Sequence, residues 1–118
     1  MNNNFVEVSI YQVKPDKTKE FEEVIKEMKT FLEENSELIN FKVMKRTHRI
    51  KDYDSIKKGE PPVKIKRIIK SVKYALYWEM NDKEIHGKLT KDIFQKFRKR
   101  LNKLLIVPED KYLGERII

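Results

Sequence analysis

At 118 residues the chain has material for one hydrophobic core and not two. Hydrophobic and charged residues each make up 39%, so that core must be thin, and the absence of cysteine excludes disulfides, thiolate nucleophiles and Cys-type zinc sites. The net charge of +8 is localised: residues 42–73 hold 12 Lys/Arg against 3 Asp/Glu, a balance of +9, while the rest of the chain holds 15 against 16.

Residues 5–14 alternate as a half-buried strand, with Val6, Val8 and Ile10 on one side and Glu7, Ser9, Tyr11 and Val13 on the other. Pro15-Asp16 stops it and opens a helix, with Asp16 as the expected N-cap. Phe21, Val24, Ile25, Met28, Phe31 and Leu32 then repeat at i, i+3, i+4 and i+7, which lays one apolar stripe on a sheet. This helix should end near Asn35.

A Lys/Arg-rich strand is expected from about Phe41 to Ile50, followed by a loop over residues 51–62, where Gly59 and Pro61-Pro62 block regular structure. Residues 63–80 favour strand throughout, so 41–73 reads as a long basic hairpin whose inner end enters the sheet. On that inner end Tyr74, Leu76, Trp78 and Met80 share one face, and Ala75, Tyr77 and Glu79 the other. Asn81 or Asp82 caps a second helix with Leu89, Ile93, Phe94, Phe97, Leu101, Leu104 and Leu105 in its stripe, and residues 112–118 can form an edge strand.

The chain thus says one thing twice. Sliding it by 66 positions pairs Ile10 with Leu76, Tyr11 with Tyr77, Asp16 with Asp82, Met28 with Phe94 and Phe31 with Phe97. The expected fold is α+β: a ferredoxin-like βαββαβ domain over residues 1–118, with both helices on one face of an antiparallel sheet. The uncovered face, expected to carry Tyr11, Val13, Ala75, Tyr77 and Val43, is too apolar to stay wet. Pairing with a second copy, as an isologous homodimer, would bury it.

No apolar run approaches the roughly 20 residues that span a bilayer. The opening MNNNFVEVSIYQV lacks the basic and apolar regions of a signal peptide, so a cytoplasmic protein with no membrane partner is expected.

A strand ending in Tyr77-Trp78-Glu79, a polar turn at Asn81-Asp82, His86 eight residues after the Trp, and then Asp92-Ile93-Phe94 resembles the antibiotic-biosynthesis-monooxygenase-like dimeric α+β barrels. The opening strand with Lys14-Pro15-Asp16 and Phe21 is similar to that family's first βα unit. The resemblance covers residues 5–35 and 73–118; the basic hairpin is longer than it implies. It implies a homodimeric barrel with a pocket between sheet and helices. Some members oxygenate aromatic polyketide-like compounds without metal or flavin and many have no assigned activity, so no cofactor is expected. The haem-degrading branch uses a His further along the second helix; the corresponding stretch Phe94–Arg100 has none, so haem chemistry is not expected.

His86 falls near the centre of the second helix's stripe and should face the sheet, where an imidazole can act as a general base or orient a substrate hydroxyl. The plainer reading is a core histidine bonded to a strand side chain or Thr90. Trp78 and Tyr74 share the helix-facing side of their strand, and Gln12 maps onto Trp78 in the repeat; with His86 they could line a small-molecule pocket, or simply be core. No carboxylate pair, metal-ligand cluster or Gly-rich phosphate loop stands out. Lys45, Arg46, Arg49, Lys64, Lys66 and Arg67 could form a ribbon for nucleic acid or another polyanion, although Lys on strands also protects edges. The leading expectation is a monooxygenase-like protein binding a small apolar or aromatic molecule, with cofactor-independent oxygenation. The alternative is a non-catalytic dimeric module that meets a polyanion through the hairpin.

Overall fold

β1 (Phe5–Val13) ends where Pro15, with no backbone N–H, cannot continue a ladder. The computed structural model describes residues 3–35, 37–67 and 70–118. Pro15–Lys17 form a single 3-10 turn and α1 runs Thr18–Glu33. The N-cap of α1 is Lys17, without a side-chain cap bond. Asp16, expected there, lies inside the 3-10 turn that Pro15 begins, since a proline's fixed φ suits the first position of a helical turn. Phe21, Val24, Ile25, Met28 and Leu32 are buried, as the spacing requires.

α3 (Lys83–Leu104) is capped by the Asp82 carboxylate, which accepts from the Ile85 N–H at 2.8 Å. It buries His86, Leu89, Phe97, Leu101 and Leu104. Phe94, expected in the stripe, is 59% exposed, and the Arg98 guanidinium covers its ring at 5.2 Å. The two helices lie on one face, Phe31 meeting Phe97 edge-on at 5.9 Å.

With β2 (Leu38–Lys45), β3 (Val72–Met80) and β4 (Asp110–Glu115), β1 completes an antiparallel sheet in the order β2-β3-β1-β4. The fold is ferredoxin-like βαββαβ, as expected. The hairpin differs in detail. β2 starts and stops earlier than expected, and β3 claims only 72–80 of the apolar run. Residues 68 and 69 of that run lie outside the described residues. The outer arms touch through the bridge between His48 and Lys64, with Ile65 N–H donating to the Thr47 carbonyl at 2.8 Å. The expected loop contains a short helix, α2 (Tyr53–Lys57), closed by Gly59 at φ +97°, a left-handed conformation that favours glycine.

The register corrects the face expected for β1. Tyr11 stands opposite Tyr74, Glu7 opposite Trp78 and Val13 opposite Val72, so Glu7, Ser9, Tyr11 and Val13 lie under the helices. Tyr11 is 2% exposed and packs on Phe21 at 5.3 Å. Val43, opposite Leu76, is also on the helix side. The open face instead carries Val8, Ile10, Ala75 and Tyr77, with Met44 and Tyr112 more exposed beside them. A strand's alternation does not say which side is inward, and a one-residue slip exchanges the faces.

That slip is present in the repeat itself. α1 begins at Thr18 and α3 at Lys83, an offset of 65 and not 66. At 65, Phe21 matches His86, Val24 matches Leu89 and Leu32 matches Phe97, every one of them buried. His86 therefore occupies the place that a core phenylalanine holds in the first half.

Candidate functional site

Two charged or polar side chains of β1, Glu7 and Ser9, point into the layer between sheet and helices, and both are at most 1% exposed. Burying a carboxylate requires partners, and the neighbouring elements supply them. The first turn of α3 sets His86 above β1, with Nε2 at 2.7 Å from Glu7 Oε1. Ser9 Oγ donates to Glu7 Oε2 at 2.6 Å, and Lys111 Nζ, from β4, donates to the same oxygen at 2.9 Å and to Ser9 Oγ at 3.3 Å. Thr90, one turn beyond His86, places Oγ1 at 3.4 Å from Nε2. The imidazole is clamped between Phe5 at 5.1 Å and Trp78 at 5.3 Å.

The cluster continues through Glu109, which lies 3.5 Å from Lys111 and accepts both terminal nitrogens of Arg98 in a fork. Burial works to raise the Glu7 carboxyl. The hydrogen bonds from His86 and Ser9 and the charge of Lys111 outweigh it and hold the group at about 2. Glu109 is likewise held at about 2, burial being overcome by the Arg98 fork. Burial first, then the charges of Glu109 and Glu7, raises the Tyr11 phenol. With Glu7 ionised, the shared proton of the His86 contact sits on Nε2, which donates.

Beside this cluster lies a cavity of about 170 Å³ between the sheet and both helices. Met28, Leu32, Leu76, Ile93 and the indole of Trp78 form its apolar wall, and Glu7, Thr90, Arg98 and Lys111 its polar edge. His86 is not in the wall; it stands directly behind Glu7, Thr90 and Trp78. Among the described residues, Trp78 Nε1 and Arg98 Nε are buried donors with no hydrogen-bond acceptor.

The structure thus brings Trp78 and His86 together, and separates the other two residues expected with them. Tyr74 shares Trp78's face but lies further along the strand, where its hydroxyl donates to Glu22 at 2.6 Å. It lines a different groove, of about 400 Å³, with Phe21, Ile25, Phe41 and Lys45. Gln12 is on the opposite side of the sheet, paired with Lys73, because the repeat that mapped it onto Trp78 is displaced by one residue. Glu7 was not singled out from the sequence, nor were Ser9, Arg98, Glu109 and Lys111. The available signal was Glu7 alternating in step with Tyr11 and Val13, the bulky side of β1.

Of the basic hairpin residues, Lys45 lies 3.5 Å from Glu22 and Arg49 2.7 Å from Asp52. Arg46, Lys64, Lys66 and Arg67 are exposed. Among the described residues no group of three or more His, Asp or Glu could hold a metal ion, and no helix is long and apolar enough to cross a membrane.

No protein-family model and no curated protein sequence matches the chain. Solved structures do. A Nitrosomonas europaea protein provisionally named an antibiotic biosynthesis monooxygenase superposes with a TM-score of 0.72 at 12% identity, over 99% of this chain and 93% of its own. A variant of SnoaB, a cofactor-independent oxygenase from Streptomyces nogalater, gives 0.62 at 16% identity, over 97% and 93%. The fold is that of the antibiotic-biosynthesis-monooxygenase-like proteins. The de novo designed protein Foldit4 also superposes, with a TM-score of 0.57 at 16% identity over 98% and 99%. A fold shared with a design assigns no activity, so function must be argued from the site.

Proposed function

We propose that the chain is a monooxygenase-like protein that binds a small apolar or aromatic molecule between its sheet and helices and oxygenates it without metal or flavin. The observation that supports this most is an apolar cavity edged by the ionised Glu7, with His86 bonded behind it and Trp78 as one wall. Oxygenation of this kind needs a substrate that first loses a proton and then gives electrons to dioxygen. A methylene activated by an aromatic ring or carbonyl becomes a carbonyl: one oxygen atom is retained, the other leaves as water, and no outside reductant is needed. In this reading the Glu7–His86 pair takes up the substrate's proton as a coupled unit, and Trp78 is the ring wall.

A homodimer completes the reading. The open sheet face carries Val8, Ile10, Ala75 and Tyr77, flanked by Lys42 and by Glu79, which Arg116 contacts at 3.2 Å. An apolar strip with a charged border can be buried against its own copy across a two-fold axis.

The test combines tryptophan fluorescence, for which Trp78 is the sole reporter, with an oxygen electrode. Activated aromatic methylene compounds should quench saturably and drive oxygen uptake without added metal or flavin, and His86→Ala should abolish uptake. No saturable quenching by any such compound would end this reading. Four exposed basic residues on the outer hairpin, Arg46, Lys64, Lys66 and Arg67, favour the second reading, a polyanion-binding module.

A further inference from the structure

The cavity beside Glu7 also constrains what can occupy it. At about 170 Å³ it is close to the roughly 150 Å³ cavity that holds one benzene in an engineered protein core. Its walls on the core side leave little room to grow, while Phe94, 59% exposed, stands on its outer side. Leu32, Leu76 and Trp78 are at most 4% exposed, each packed in the main core cluster, and packed interiors resist the shifts that a larger guest demands.

The polar edge then says which functional group fits. A buried N–H without an acceptor is uncommon and needs an explanation, and two such donors, Trp78 Nε1 and Arg98 Nε, belong to residues that line this one cavity. Trp78 Nε1 has no hydrogen-bond partner, although its indole helps to keep the Glu7 carboxylate ionised. An oxygen acceptor on a bound ring would satisfy a donor that the protein leaves open.

The charge balance of the cluster separates a neutral acceptor from an anion. Glu7 and Glu109 are matched by Lys111 and Arg98 through the pairs already described. No cation is left over for a carboxylate or phosphate, and Glu7 on the cavity edge would repel one. From these observations we infer that the cavity takes a single-ring aromatic molecule bearing one neutral oxygen acceptor, a carbonyl or hydroxyl, and excludes fused-ring compounds. The inference rests on the cavity reading given under Proposed function and names its ligand class.

Isothermal calorimetry on the full chain tests it with a graded series: acetophenone, ethylbenzene, benzoate, 1-acetylnaphthalene and 9-acetylanthracene. Acetophenone should bind about tenfold more tightly than ethylbenzene, the gain of one satisfied neutral hydrogen bond, and more tightly than benzoate, while the two- and three-ring ketones show no binding. Trp78→Phe keeps an aromatic wall and removes the donor, so it should bring acetophenone and ethylbenzene to similar affinity. Ile93→Phe fills the space and should abolish acetophenone binding; circular dichroism confirms that each variant folds. Tight binding of 9-acetylanthracene would overturn the size limit and leave the site reading standing. Equal affinity for ethylbenzene, or preference for benzoate, would overturn the acceptor assignment. Absence of binding by the whole series would remove both this inference and the small-molecule site.

Discussion

Replacing Glu7 by Gln isolates the electrostatics of the buried cluster. Glu7 is held at about 2 in the folded chain against an ordinary 4.5. At about 1.36 kcal/mol per unit, that difference is worth about 3 kcal/mol of stability. The side chain is only 2% exposed, so solvent screening removes little of it. Because the folded value is depressed, the contribution is fully present above pH about 4.5 and disappears as pH falls towards 2. Urea unfolding of wild type and Glu7→Gln at pH 7, 4.5, 3 and 2 measures it. The gap between the two proteins should be about 3 kcal/mol at pH 7 and close as pH approaches 2. A gap that does not change with pH would mean that Glu7 is not held ionised by His86, Ser9 and Lys111, and the reasoning about the cluster would be refuted.

His86→Ala leaves Glu7 Oε1 without its donor and opens space beside Trp78; a loss of about 1–3 kcal/mol in chemical unfolding is expected, together with loss of oxygen uptake. Ala75→Glu puts a charge in the middle of the open sheet face, opposite Ile10 and Met44. It should convert a dimer of two 14.3 kDa chains into monomer in sedimentation analysis, and a wild type already monomeric at micromolar concentration would defeat the pairing argument. For the polyanion reading, binding to a short DNA duplex must weaken steeply between about 50 and 200 mM salt. It should also drop when Lys64, Lys66 and Arg67 are changed to Glu; a mobility-shift titration with no retardation at low salt disposes of it.

The fold was legible because both long helices announce their stripes and caps or breakers mark where they begin: Pro15 and Asp82 both act within a residue of where they were placed. Trp78 and His86 were legible for the same reason, since strand alternation and helical angle alone turn both inward. The face of β1 was not. Glu7 and Ser9 alternate with Tyr11 and Val13, and a carboxylate normally marks the wet side. Only the tertiary arrangement, with His86 above it and Lys111 on the neighbouring strand, makes its burial tolerable. Gln12 failed through the same slip, because an offset of 66 matches residue types along the helices' flanks while 65 matches what is buried. The hairpin was only half legible: Lys-rich alternation runs on past Lys45, but pairing across the sheet stops there, and α2 was hidden behind the stronger breaking signals of Gly59 and Pro61-Pro62.

Trp78 is the single tryptophan, so its indole N–H gives one isolated proton resonance, seated at the cavity on which the functional account depends. Titrating acetophenone into the isotopically labelled protein should move that resonance downfield to saturation as the orphaned donor gains an acceptor, with ethylbenzene leaving it nearly still. A resonance unmoved by any small aromatic ketone or phenol at millimolar concentration would contradict the ligand site itself.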